Sequence, residues 1–150
     1  MENTEIRDLV EGDYDQFCKI LRKFYDYAGN EKSSEEDLQK LFMKSIDKNR
    51  NYVVIGAFEG QSLIGIISMT IGESSYMTSA FCWCDDLYIE ENQRGKGIGK
   101  KLIYEVKERA RGMRCSNILL GVGEDENDTR EFYEKIGFED MKCKLLTLKI

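Results

Sequence analysis

Chemistry with a charged ligand is best supported at Gln93-Arg94-Gly95-Lys96-Gly97-Ile98-Gly99-Lys100. Three alternate glycines let the backbone take positive φ and let a ligand approach without meeting a Cβ. An apolar-periodic segment follows at once, so the turn opens a helix whose first amides lack intrahelical partners. Those amides, with the positive end of the helix dipole, make an anion site suited to a pyrophosphate. Arg94, Lys96 and Lys100 can add charge at its rim. Spacing excludes two familiar phosphate motifs. A P-loop needs G-x-x-x-x-G-K-[ST], which no placement of these glycines satisfies. A dinucleotide fingerprint needs G-x-G-x-x-G, and the third residue beyond Gly97 is Lys100. A plain tight turn before a helix stays open as the simpler reading.

The other reactive side chains are thiols. Five cysteines (Cys18, Cys82, Cys84, Cys115 and Cys143) are odd in number and show no C-x-x-C spacing. Cys82 and Cys84 would share one face of a strand and could not easily bridge each other. The chain has no histidine, so a zinc site would need thiolates and carboxylates alone, and no metal is expected. Inert thiols in a reducing compartment are the expectation.

Elements that position the glycine turn follow from periodicity. Residues 2–7 read as a short strand and 11–28 as a helix, with Tyr14, Phe17, Cys18, Leu21, Phe24 and Tyr25 at helical spacing and Gly29 as its stop. A second helix starts near Ser33 or Ser34, where Ser33 and Glu36 have capping-box spacing. Residues 52–58 and 63–71 are β-branched and aromatic, and Glu59-Gly60-Gln61 joins them as a hairpin. A third strand is expected over 78–89, then a helix over 97–111. The apolar run 117–122 reads as a strand covered on both sides. Asp128 and Glu131 are expected to cap a further helix, and Gly137 to end it. Residues 142–150 alternate as a final strand. The expected fold is α+β, a single domain over 1–150 with one mixed sheet, complete at Ile150.

The chain has 150 residues, 41% apolar and 33% charged, which suits one globular core. No apolar run reaches the roughly 18 to 20 residues of a membrane span. The acidic N-terminus lacks the order of a signal peptide, so a soluble cytoplasmic protein is expected. With 22 basic against 28 acidic residues the net charge is −6, which disfavours nucleic acid and is compatible with a cationic small molecule.

The turn and its flanks resemble the GNAT superfamily of acetyl-CoA-dependent N-acetyltransferases. Arg94-Gly95-Lys96-Gly97-Ile98-Gly99 meets the hallmark R/Q-x-x-G-x-G/A. Upstream, Asp85-Asp86-Leu87-Tyr88-Ile89 is similar to the family's fourth strand. Downstream, residues 127–138 (NDTREFYEKIGF) are similar to its N-x-x-A-x-x-Y-x-x-x-G-F segment. The strong resemblance covers residues 78–138, and the N-terminal half agrees in element order. It implies a GNAT-like domain: a mostly antiparallel, twisted sheet with splayed central strands and about four flanking helices.

Residue by residue, the resemblance implies that the backbone of Arg94, Gly95, Lys96, Gly97, Ile98, Gly99 and Lys100 holds the pyrophosphate of acetyl-CoA. The backbone of Leu87, Tyr88 and Ile89 would pair with the pantetheine arm, with the Leu87 N–H toward the thioester carbonyl. Asn127 would hydrogen-bond the cofactor arm, and Tyr133 would give a proton to the leaving sulfur. Trp83 and Asp85 stand where relatives often carry a Glu or His base. Asp85 is the expected base and Asp86 the next candidate, though both can instead bind a cationic acceptor. A strand alternates faces, so only one of the two can reach a cleft unless a bulge intervenes. Arg130 departs from the family's small residue, near a phosphate or on the surface.

Together these imply transfer of acetyl to a primary amine of a small cationic molecule by direct attack, without a covalent enzyme intermediate. Tyr25, Asp26, Tyr27, Glu31, Glu35, Glu36 and Asp37 form an acidic, aromatic set for the acceptor, or simply a solvated face. A non-catalytic acyl-CoA sensor or scaffold, and acetylation of a protein amino group, are the alternatives. A homodimer is left open.

Overall fold

Strand-forming runs in the middle of the chain build the sheet that carries the candidate site. A computed structural model describes residues 3–31 and 33–150. Its elements are β1 (Thr4–Asp8), a 3-10 turn (Glu11–Asp13), α1 (Tyr14–Ala28), α2 (Glu35–Ile46), β2 (Tyr52–Glu59), β3 (Ser62–Ser74), β4 (Ser79–Ile89), a second 3-10 turn (Glu91–Gln93), α3 (Ile98–Gly112), β5 (Cys115–Leu119) and α4 (Asn127–Ile136). The fold is α+β and GNAT-like. The chain divides into two compact units, Met1–Leu120 and Gly121–Ile150. Among the described residues no helix is long and apolar enough to cross a membrane.

In the first unit the sheet runs in the order β1-β2-β3-β4-β5. The first four strands are antiparallel neighbours, and β5 joins β4 in parallel. Glu59 pairs with Ser62 around Gly60, whose φ of +60° suits a two-residue hairpin. One sheet face buries Val54, Phe58 and Ile66 against Phe17, Ile20 and Leu21 of α1 and Leu38 and Phe42 of α2. The other lies under α3, where a Cβ on Gly65 would stand 3.6 Å from Leu102. Leu102, Ile103 and Val106 of α3 are buried there, as their helical spacing requires.

Caps decide where the helices start and stop. Gly29 ends α1 in the left-handed region, with the Asn30 amide bonded back to the Tyr25 carbonyl at 3.0 Å. Ser34, rather than Ser33, caps α2: its hydroxyl accepts from the Asp37 amide at 3.1 Å. The expected caps of α4 shift as well. Its N-cap is Glu126, whose carboxylate accepts from the Gly123 amide at 2.7 Å, while Asp128 lies inside the first turn.

Two expectations about strands fail. β5 begins at Cys115 and ends at Leu119, and Ser116 and Asn117 are exposed rather than covered on both sides. The exposed Ser116 and Asn117 do not match the cover of both faces that an apolar run predicts. Residues 142–150 form no strand, and Leu145, Leu146 and Leu148 are exposed. Alternation is a preference that only a pairing partner converts into a ladder.

Candidate active site

The two adjacent aspartates lie at an irregularity in β4. Ser68 faces Asp85 and Ile66 faces Tyr88, so Asp86 and Leu87 together stand opposite the single residue Ile67. Asp86 takes a φ of +56°, the left-handed conformation that lets one strand hold an extra residue. The bulge resets the alternation. Counting by twos from Asp85 would put Tyr88 on the other side of the sheet, yet Tyr88 packs into the core beneath α1 and α2. Both aspartates act electrostatically on Tyr52, whose residue faces that same side. The bulge that is the exception to alternation is present.

Their surroundings differ. Asp85 is exposed, and its carboxylate accepts from the Trp83 indole N–H at 2.8 Å. Asp86 is half-buried, and burial first, then the charge of Asp85, pushes its carboxyl up to about 6. The Tyr52 phenol is held well above the usual tyrosine range, by burial and then by Asp86. The Ser68 hydroxyl donates to the Asp85 carbonyl at 3.1 Å and so ties β3 to the edge of the bulge. Tyr52 and Ser68 escaped the sequence reading because only strand register brings them here. Cys82 and Cys84, with sulfurs 4.0 Å apart, pair in register with Ile71 and Met69 and so face α3, away from the aspartates.

Just before the bulge, β4 loses a neighbour. Its ladder with β5 ends at Trp83 opposite Leu119. β5 itself ends at Leu119, so residues 84–89 have no strand on that side among the described residues. The chain then passes through Glu91–Gln93 into the glycine turn. Gly95 and Gly97 both have φ of +78°, and a Cβ on either would meet nothing within 4 Å. Backbone conformation, not crowding, demands glycine there.

Gly97 is the N-cap of α3 and offers no side chain to the helix. The Lys101 amide is bonded to the Gly97 carbonyl at 3.1 Å, so the amides of Ile98, Gly99 and Lys100 precede the first intrahelical bond. The Ile98 side chain is buried in the core, which fixes this helix end to the sheet. Open space, positive φ and unpartnered amides fit a pyrophosphate. Lys96 reaches Gln93 at 2.8 Å and Lys100 lies 5.7 Å from the Tyr104 ring. Arg94 turns away from the amides, toward Tyr27 and Tyr88.

Part of the acidic acceptor set is engaged locally. Glu35 accepts from Tyr14 at 2.7 Å and pairs with Arg22, Glu36 pairs with Lys40 at 2.6 Å, and Asp37 accepts from Ser34 at 2.8 Å. These contacts match the solvated-face reading. In the second unit, Asn127 opens α4 and Tyr133 lies between Phe132 and Phe138, with ring centroids 5.2 and 5.4 Å away. The amides of Gly137 and Phe138 bond to the Tyr133 carbonyl at 3.2 and 3.1 Å and close the helix. Arg130 donates to the Glu124 carbonyl at 3.3 Å, a local bond within this unit.

Comparison with known proteins supplies independent support. Residues 14–138 match the acetyltransferase (GNAT) family. The chain is 25% identical over 158 residues to a thialysine N-epsilon-acetyltransferase of Sus scrofa, covering 94% of this chain and 87% of that one. A spermine/spermidine N(1)-acetyltransferase of Bacillus subtilis is 31% identical over 58 residues, 38% of each chain. Among solved structures, a Bacillus halodurans C-125 protein named a transcriptional regulator superposes with a TM-score of 0.85, at 25% identity over 99% of this chain and 100% of that one. With a family match running from the first helix through the last, this chain belongs to the GNAT family and is an acetyltransferase.

Proposed function

We propose that the chain moves the acetyl group of acetyl-CoA to a primary amine of a small cationic molecule by direct attack. The observation that carries this reading is the far end of β4. Residues 84–89 offer a strand edge without a ladder partner on the β5 side, and they lead into a turn of unpartnered amides. An extended arm with amide groups can pair along such an edge like an added strand, while its pyrophosphate sits on the turn. The family match spans residues 14–138 and so runs through both compact units, which supports one catalytic domain over the whole chain.

Each residue then has a task. The amides of residues 95–100 hold phosphate oxygens, with Lys96 and Lys100 adding charge. The Leu87 N–H donates to the thioester carbonyl and stabilises the negative charge that grows there. Asp86 takes the proton of the attacking amine. Its carboxyl, pushed up to about 6, is mostly ionised at neutral pH yet basic enough to accept. This reassigns the base from Asp85 to its neighbour, on burial and charge. Asp85, exposed on the same side, draws the cationic amine in. Tyr133 gives its phenolic proton to the leaving sulfur and Asn127 holds the cofactor arm, as the family motif implies. The names of the relatives, thialysine and spermine/spermidine acetyltransferases, point to a flexible aliphatic amine as acceptor.

The direct test is release of free CoA thiol from acetyl-CoA in the presence of spermidine, thialysine, lysine and a peptide with a free N-terminus. Turnover with one of the small amines is expected. Tight acetyl-CoA binding without thiol release from any would leave a sensor or scaffold, and turnover only with the peptide would make the acceptor a protein. Tyr133→Phe keeps the ring contacts and removes the hydroxyl. It should lower turnover by roughly tenfold to a thousandfold, with acetyl-CoA affinity little changed. Unaltered turnover, with chemistry rate-limiting, would reduce Tyr133 to packing.

A further inference from the structure

Arg94 opens the glycine turn, yet its guanidinium is committed elsewhere. Its Nε donates to the Ile89 carbonyl at 3.0 Å. Its central carbon lies 5.1 Å from the Tyr27 ring and 5.3 Å from the Tyr88 ring, within cation–π reach of both. The two rings meet edge-on at 6.2 Å, and Phe24 touches Tyr88 at 6.1 Å. One turn back along α1, Lys23 pairs with both oxygens of Glu90 at 2.7 and 2.8 Å. Lys23 and Tyr27 are four residues apart on one helix face, and each holds a residue that leads into the turn. On a neighbouring face of the same segment, Tyr25 packs against the core cluster that also takes Tyr52. The last two turns of α1 thus bridge the phosphate turn and the carboxylate side of β4.

We propose that Arg94 is a positioning residue for the acceptor side of the reaction: wedged between Tyr27 and Tyr88, its guanidinium ties the end of α1 to the glycine turn, so that cofactor held at the turn orders the helical wall facing the amine. The inference rests on the reading that acetyl-CoA binds at this turn. Phosphate held by the amides of residues 95–100 steadies the turn. A steadied turn holds Arg94, and Arg94 holds Tyr27. The coupling is reciprocal, since whatever orders α1 also favours the cofactor-bound turn. Arg94 itself contributes little to phosphate affinity, because charge at the rim is left to Lys96 and Lys100.

Amide hydrogen exchange on the full chain tests this without any acceptor, using CoA alone as the probe. CoA should slow exchange in residues 23–28 of the wild type by about tenfold. In Arg94→Gln, and separately in Tyr27→Leu, that protection should fall below about threefold, while CoA affinity by calorimetry stays within about threefold of wild type. Tyr27 is 65% exposed, so its replacement leaves the core and the turn intact. Equal protection in wild type and variants, or none in a wild type that binds CoA, overturns the coupling and leaves the acetyltransferase reading standing. A tenfold or greater loss of CoA affinity in Arg94→Gln also overturns it, because the guanidinium is then a phosphate ligand. A wild type that binds no CoA removes the donor assignment and this inference together.

Discussion

Gly97→Val should abolish acetyl-CoA binding while leaving a folded protein. Gly97 has a φ of +78°, and a β-branched residue in that region is strained, by about 1–2 kcal/mol for the left-handed conformation alone. The space around it is open, so valine does not clash with the protein. The backbone instead relaxes toward negative φ, and the amides of Ile98, Gly99 and Lys100 no longer converge. Hydrogen bonds to a charged group contribute about 1.5–3 kcal/mol each, so losing two weakens binding by at least about a hundredfold. Helix α3 itself should survive, because Ile98, Leu102, Ile103 and Val106 are buried below it. Thermal denaturation with and without acetyl-CoA reads both effects. Wild type should gain about 4 kcal/mol of stability at a thousand times the Kd. The variant should melt slightly lower and show no gain. A folded Gly97→Val protein with normal affinity would remove the turn from the cofactor site.

Asp86→Asn should lower turnover by about a hundredfold to ten-thousandfold at neutral pH, the usual range for a general base. Part of the loss should return at alkaline pH, where more of the free amine arrives deprotonated. In wild type, kcat/KM should fall as the pH drops through about 6, where the Asp86 carboxyl takes its proton. Stability should move the opposite way. The folded-state value of about 6 lies above the ordinary 3.8, so folding favours the protonated acid. That contribution is complete below the ordinary value and lost as pH rises through about 6. Asparagine never carries the charge, so the variant should be more stable by about 1–2 kcal/mol at pH 7 to 8, discounted for partial exposure, and no more stable near pH 4. Loss of rate with gain of stability distinguishes a strained functional carboxylate from a structural one.

Asp85→Asn separates the two roles further. Asp85 is exposed, so its loss should chiefly raise the KM for the amine. It also removes the charge that is the second cause of the raised Asp86 carboxyl, so the acidic limb of the rate profile should move below its wild-type position. If Asp85→Asn instead loses the pH-dependent rate and Asp86→Asn loses only affinity, the base is Asp85.

Much of the fold was legible because local rules specify it. Runs of β-branched and aromatic residues around Gly60 named the strands of the β2–β3 hairpin, and the i, i+3, i+4 pattern named α1, α2 and α3. The glycine turn was legible for the same reason: positive φ at Gly95 and Gly97 is a property of those residues and their immediate neighbours. Caps were read to within a residue or so at α2, where two serines compete, and less well at α4, where Glu126 reaches back to Gly123. Residues 142–150 show the limit of pattern, since their alternation found no ladder.

Asp85 and Asp86 show where tertiary structure alone decided. Their identity and spacing left two bases open, and strand alternation would have let only one of them face a cleft. The extra residue opposite Ile67 put Asp85 and Tyr88 on one face with both carboxylates in electrostatic reach of Tyr52, and burial set the two apart in acidity. Tyr52 and Ser68 joined them from strands far back in the chain, and Arg94 was drawn from the phosphate turn to the rings of Tyr27 and Tyr88. Backbone dihedrals and helical or strand periods depend on a few consecutive residues, so they can be read along a chain. Bulges, registers and the desolvation of one carboxylate beside another depend on what packs across the sheet, and only the folded chain determines them.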